Sequence, residues 1–133
     1  MKQHEINVRV RYSETDQMGV VYHGNYAQYF EMGRVEWLRK IGISYKWMEE
    51  NGIMLPVVSL NINYKKPARY DDLLIVKTIF KKQESVKIEF DYEIRNEKDE
   101  LLTIANSTLV FVDMKTGRPV LPPEYILDLL EKL

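Results

Sequence analysis

The chain of 133 residues contains no cysteine. Disulfides, thiolate nucleophiles and cysteine-based metal sites are therefore excluded. Histidine is almost as scarce, with only His4 and His23. No His-Glu-x-x-His pattern joins them, so a zinc site would need carboxylates gathered by the fold. We expect no metal and no cofactor. Neither sign of charge dominates: 19 Lys and Arg stand against 20 Asp and Glu, a net charge of −1. Nothing here suggests a nucleic-acid groove or an anionic membrane surface as partner. The pairs Lys65-Lys66 and Lys81-Lys82 are too short to change that. No apolar run approaches the roughly 20 residues that span a bilayer, so membrane insertion is not expected. The first five residues lead into a strand pattern without an apolar signal core. A cytoplasmic location is the expectation. Phosphate-cradling Gly-x-x-x-x-Gly-Lys and Gly-x-Gly-x-x-Gly loops are missing, as is a Gly-x-Ser-x-Gly nucleophile elbow.

What remains reads as one α+β domain over residues 1–133, long enough to bury a core. Ile6, Val8, Val10 and Tyr12 alternate with polar residues and predict a strand over 6–12. Ser13 to Gly24 reads as a loop. Asn25 is placed to cap a helix, with Gln28 three residues on as in a capping box. Tyr26, Tyr29, Phe30, Gly33, Trp37 and Ile41 then fall on one helical stripe. Met32, Val35 and Leu38 lie on other faces, so this helix is expected to be covered on more than one side. Gly42 is placed to end it. Ser44 to Glu50 predicts a short second helix.

After Pro56 the period changes to two. Runs at 58–64, 73–80, 86–94 and 101–112 predict four strands. The breaks between them, including Lys81 to Ser85, carry short polar turn chemistry, which implies antiparallel neighbours. Pro122-Pro123 opens a C-terminal helix. The expected order is β-α-β-β-β-β plus that helix, with the sheet curved around the long helix.

The segment from Thr15 to Asn25 carries the chemistry. It holds Asp16, Gly19, Val20, Val21, Tyr22 and His23 directly ahead of the long helix. A carboxylate near a helix N-terminus combines a base or nucleophile with N–H groups that can polarise a carbonyl. That combination points to acyl chemistry without serine or cysteine. Each residue also has a plainer reading. Asp16 fits a loop Asx turn, and His23 fits a histidine that hydrogen-bonds its loop. Tyr12, Tyr22, Tyr26 and Tyr29 fit core or pocket walls. Lys81 and Lys82 fit a solvated turn. Gly19 allows close backbone approach to a ligand, and Val20 and Val21 can keep water out.

The run from Arg9 to Tyr26, with Thr15-Asp16-x-x-Gly19-Val20-Val21-Tyr22-His23 at its centre, resembles the signature of hotdog-fold acyl-CoA thioesterases of the 4-hydroxybenzoyl-CoA type. It is most similar to the subfamily linked to the bacterial Tol–Pal envelope system. Pro67 to Leu73 and Phe111 to Pro119 resemble it too. The resemblance implies a helix wrapped by an antiparallel sheet, and homodimers or homotetramers with active sites between subunits. It implies an acyl-CoA substrate, with Asp16 as nucleophile or general base. The His23 N–H would polarise the thioester carbonyl, with Tyr12 and the His23 ring also in the site. Gly19, Val21, Tyr22 and Tyr26 would line the pocket. The turn with Lys82 and Ser85 would hold coenzyme A phosphates, although Gln83 and Glu84 stand where basic residues would help. Two rival functions stay open at this point: a hotdog dehydratase acting on 3-hydroxyacyl chains, and a non-catalytic acyl-CoA-binding or scaffold module.

Overall fold

A five-stranded antiparallel sheet packs against one long helix in the computed structural model, which describes residues 1–133. The elements are β1 (Gln3–Arg9), α1 (Tyr26–Ile41), α2 (Tyr45–Glu50), β2 (Ile53–Met54), β3 (Val57–Tyr64), β4 (Leu73–Glu84), β5 (Lys87–Arg95), β6 (Leu101–Val110), β7 (Val112–Asp113), β8 (Arg118–Pro119) and α3 (Glu124–Glu131). Strand order in the large sheet is β1-β4-β5-β6-β3. The α+β reading therefore holds. A small β2-β7-β8 ribbon was not legible, because two-residue strands carry no periodicity.

Helix α1 buries Tyr26, Tyr29, Phe30, Gly33 and Trp37 of the expected stripe together with Leu38, while Ile41 at its end is half-buried. Trp37 stacks on Phe80 at 5.5 Å and meets Phe90 edge-on, while Phe30 lies 4.6 Å from Tyr92. The facing positions Ile88, Phe90, Tyr92 and Ile94 are buried at strict alternation along β5. Truncating a side chain such as Trp37 in this layer typically costs about 3–5 kcal/mol. Of the off-stripe residues expected to be covered, Leu38 is buried but the others are not. Met32 remains exposed and Val35 half-buried, because the sheet reaches only one side of α1 within a protomer.

Gly42 ends α1 at φ 105°, a left-handed conformation that favours glycine. The Ser44 hydroxyl caps α2 by accepting from the Trp47 N–H at 3.1 Å. Asn25, however, is not a cap: it has helical backbone angles and makes no capping bond. A 3-10 turn over His23–Asn25 runs straight into α1 and takes the cap's place. The first strand stops at Arg9, and Tyr12–Glu14 curls into another 3-10 turn. The predicted turn at Lys81 to Ser85 is mostly strand. β4 continues to Glu84, which pairs with Lys87, so the hairpin loop is only Ser85 and Val86. Charged alternation at an exposed strand end looks like a turn in sequence, and only pairing distinguishes the two.

The alternation at 58–64 forms the expected strand, β3. Leu60, Ile62 and Tyr64 pair with the inward-facing Ser107, Ala105 and Thr103 of β6. Yet Val57, Val58, Leu60 and Tyr64 are all exposed. The strand lies at the sheet edge, and only Ile62 and Tyr64 of its apolar residues meet the core and the start of α1.

Candidate active site

Residues 13–25 fold back on themselves as a small hairpin. Thr15 and Val21 form an isolated antiparallel bridge, and the Asp16 N–H donates to the Val20 carbonyl at 2.8 Å. Gly19 at the tip takes φ 78°, with open space around it. The outgoing arm is stitched to the loop before β4, where the Val21 N–H donates to the Ala68 carbonyl at 2.8 Å. Val21 and Ala68 are both buried, so the arm is anchored by packing as well.

Asp16 is half-buried at the start of this hairpin. Its Oδ1 accepts from the Met18 N–H at 2.8 Å and, more weakly, from the Val20 N–H at 3.4 Å. The Asx turn is therefore real. It orients the carboxylate and leaves Oδ2 without a partner in the chain, so the plain and the chemical readings are compatible.

The helix start supplies the second half. Asn25 donates its N–H to the Tyr22 carbonyl, and Tyr26 donates to the His23 carbonyl. The Tyr22 N–H is taken by the Glu14 carbonyl at 2.9 Å. None of the loop and cap bonds uses the N–H of His23 or Gly24. First-turn amides without an intrahelical acceptor, at the positive end of a 16-residue helix, suit a developing negative charge.

A cleft beside these amides is lined by Val21, His23, Tyr26, Tyr64, Lys65, Lys66 and Pro67. Tyr64 donates its hydroxyl to the His23 carbonyl at 3.1 Å, and its ring stands edge-on to Tyr26 at 5.1 Å. Burial pushes the Tyr26 phenol above its ordinary value, so it stays a neutral wall. His23 is exposed, with its ring against Tyr22 at 4.3 Å. Tyr12 is exposed and rests edge-on against Tyr70, outside this cleft.

Lys82 and Ser85 lie elsewhere. They line a separate groove with Glu84, Val86, Lys87, Glu89 and Thr108, sharing no residue with the His23 cleft. The Lys82 ammonium sits 3.6 Å from Glu84 and 4.0 Å from Glu89, so part of its charge is already matched. Sequence reasoning missed Tyr64 and Lys65. Tyr64 fits the strand alternation, which gave no hint that it would reach back to the helix start.

One long helix packed against a five-stranded antiparallel sheet is the hotdog architecture. The chain belongs to the thioesterase-like superfamily, whose family model matches residues 10–130. It is 40% identical over 113 residues to YneP of Bacillus subtilis (strain 168), covering 85% of this chain and 82% of that protein. It is 33% identical over 119 residues to the acyl-CoA thioester hydrolase YbgC of Escherichia coli O6:H1, covering 90% and 89%. The solved DHNA-CoA thioesterase of Staphylococcus aureus superposes with a TM-score of 0.92 at 41% identity, covering 98% of this chain and 88% of that one. The protein is thus a hotdog enzyme of the thioester-hydrolase class, and the dehydratase and non-catalytic readings fall away. No helix is long and apolar enough to cross a membrane.

Proposed function

We propose that the protein hydrolyses acyl-CoA thioesters to a free acid and coenzyme A, with Asp16 and the helix-start amides as the catalytic pair. One observation carries this reading. A single hairpin holds a carboxylate with a free Oδ2 and leads directly into the unclaimed His23 and Gly24 N–H groups. The thioester carbonyl oxygen accepts from these amides, and negative charge grows there as the carbonyl is attacked. Asp16 either attacks the carbonyl carbon, giving a mixed anhydride that water cleaves, or takes a proton from the attacking water. The C–S bond breaks, and the sulfur leaves as thiolate and is protonated. The cleft wall of Tyr26 and Tyr64 suits the acyl group and the pantetheine arm, while Tyr22 lies outside it against the His23 ring. Names of relatives include both general acyl-CoA and DHNA-CoA activities, so aliphatic and aromatic acyl groups both belong in the assay.

The site is completed by a second copy of the chain in this reading. β3 offers an unpaired edge with Val57, Val58 and Leu60 exposed, and an edge of that kind invites pairing. Tyr64, on the same strand, already touches the His23 carbonyl. A cytoplasmic location and coenzyme A phosphate contact at the Lys82–Ser85 groove belong to the same proposal. The Tol–Pal assignment rests only on sequence resemblance, in the Arg9 to Tyr26, Pro67 to Leu73 and Phe111 to Pro119 segments.

The test is thiol release over a panel of acyl-CoAs. Asp16→Asn should lower kcat by roughly 10²–10⁴-fold in folded protein, the usual scale for a lost catalytic base. His23→Ala should cost far less, because the backbone N–H survives. Near-wild-type turnover by Asp16→Asn removes the carboxylate from the mechanism.

A further inference from the structure

Glu14 is the only charged residue in the buried set, and the mechanism above leaves it unused. Its side chain accepts the Arg11 N–H at 2.9 Å, the Tyr29 hydroxyl at 3.0 Å, and the Arg11 guanidinium at 3.1 and 3.3 Å. Its main-chain carbonyl accepts the Tyr22 N–H at 2.9 Å and the Asn25 side-chain amide at 2.8 Å. One residue therefore joins the exit of β1, the start of α1, and both flanks of His23-Gly24, through the Tyr22 peptide and the Asn25 side chain. Asp16 follows two positions later.

A buried carboxylate is not the cheapest way to fill this space. An apolar group of the same shape is often as stabilising as a buried ion pair. What a carboxylate adds is direction: each bond fixes an angle as well as a distance. Tyr29, with no exposed surface, is a rigid post on α1. The bond from Tyr29 to Glu14 sets how far the loop stands from the helix axis. The two carbonyl bonds then hold Tyr22 and Asn25, between which the free amides lie.

We propose that Glu14 is a positioning residue, which fixes the His23 and Gly24 amides relative to Asp16 through its bonds to Tyr29, Arg11, Tyr22 and Asn25. This rests on the catalytic reading of Asp16 given above. Misplacing a reacting group by about 1 Å can cost about 10²-fold in rate, so a small slackening here is measurable.

The experiment compares Glu14→Gln and Tyr29→Phe with wild type, with Glu131→Gln on exposed α3 as control. Tyr29→Phe loses one hydroxyl and keeps the core ring, so it stays informative if Glu14→Gln does not fold. Two measurements are made: thiol-release kinetics on acyl-CoA, and ¹H–¹⁵N amide resonances of His23 and Gly24. Expected are a kcat drop of about ten- to hundredfold for Glu14→Gln with KM within about twofold, and a smaller drop for Tyr29→Phe. The double variant should be no worse than Glu14→Gln, since both act through one bond. The two resonances should move in both variants and not in the control. A folded Tyr29→Phe with unchanged kcat and unmoved resonances overturns the proposal, as does a change confined to KM. Asp16→Asn separates the two claims. If it turns over normally, the catalytic reading fails and the resonances alone decide the role of Glu14.

Discussion

The side-chain amide of Asn25 donates to the main-chain carbonyl of Glu14 across 11 residues, at 2.8 Å. Sequence pattern assigns Asn25 to a helix cap, where it would accept. In the fold it donates, and it closes the Asp16 hairpin onto the helix. The two roles predict opposite outcomes for Asn25→Asp. Aspartate caps helices as well as asparagine does, but it cannot donate. We expect Asn25→Asp to lose about 1 kcal/mol of stability, the scale of one hydrogen bond, in urea unfolding. A variant as stable as wild type would restore the capping role.

The helix and sheet come closest at Gly33. A Cβ there would overlap the Thr78 hydroxyl and press on Val76. In a free helix, replacing glycine with alanine gains about 1 kcal/mol. Here Gly33→Ala should instead destabilise by about 1–3 kcal/mol through overpacking. Thr78→Ala removes both the obstacle and a buried hydroxyl that has no partner. The double variant Gly33→Ala/Thr78→Ala should therefore recover stability relative to Gly33→Ala. Simple additivity in a thermal-unfolding cycle would refute this contact.

Acid stability should carry the signature of Glu14. Burial pushes its carboxyl up, but the Arg11 N–H, the Tyr29 hydroxyl and the Arg11 guanidinium outweigh that and hold it below the ordinary 4.5. A depressed folded value means the stabilisation is complete above about 4.5 and is lost as pH falls through the folded value. The stability difference between wild type and Glu14→Gln should thus shrink as pH is lowered from about 5 towards 3. Glu89 is also held low, by Asn106 first and then by Lys81 and Lys82, and it gives both proteins a common acid sensitivity. A gap that stays constant with pH would show that the Glu14 charge is not used.

The edge of β3 should control assembly. Val58 sits at a bulge in the β3–β6 pairing, exposed on a strand with no outer neighbour. Val58→Asp places a charge on that edge, a common device against strand pairing. If β3 is the subunit contact, sedimentation velocity should show Val58→Asp as a smaller species than wild type, with activity falling in step. An unchanged sedimentation coefficient would remove β3 as the subunit contact.

Much of the architecture follows from local pattern. The stripe Tyr26, Tyr29, Phe30, Gly33, Trp37 and the alternation at Ile88, Phe90, Tyr92, Ile94 each declare one apolar face, and a helix face and a sheet face can bury each other. The candidate site was legible only as a motif, with Asp16, Gly19, Val21 and His23 inside eight consecutive residues. Its scaffolding was not. Tyr64 reaches His23 from 41 residues away, and Tyr29 reaches Glu14 from 15. No periodicity encodes such partners.

The sequence by itself determined the element types, the apolar faces and the acid-bearing loop ahead of the helix, since these depend on neighbours within a few residues. Only the tertiary structure decided which amides are left free, which carboxylate is buried, and that β3 keeps its apolar residues in the open. Those outcomes depend on groups brought together by chain closure, and hydrogen-bond satisfaction is settled only when every competing partner is in place.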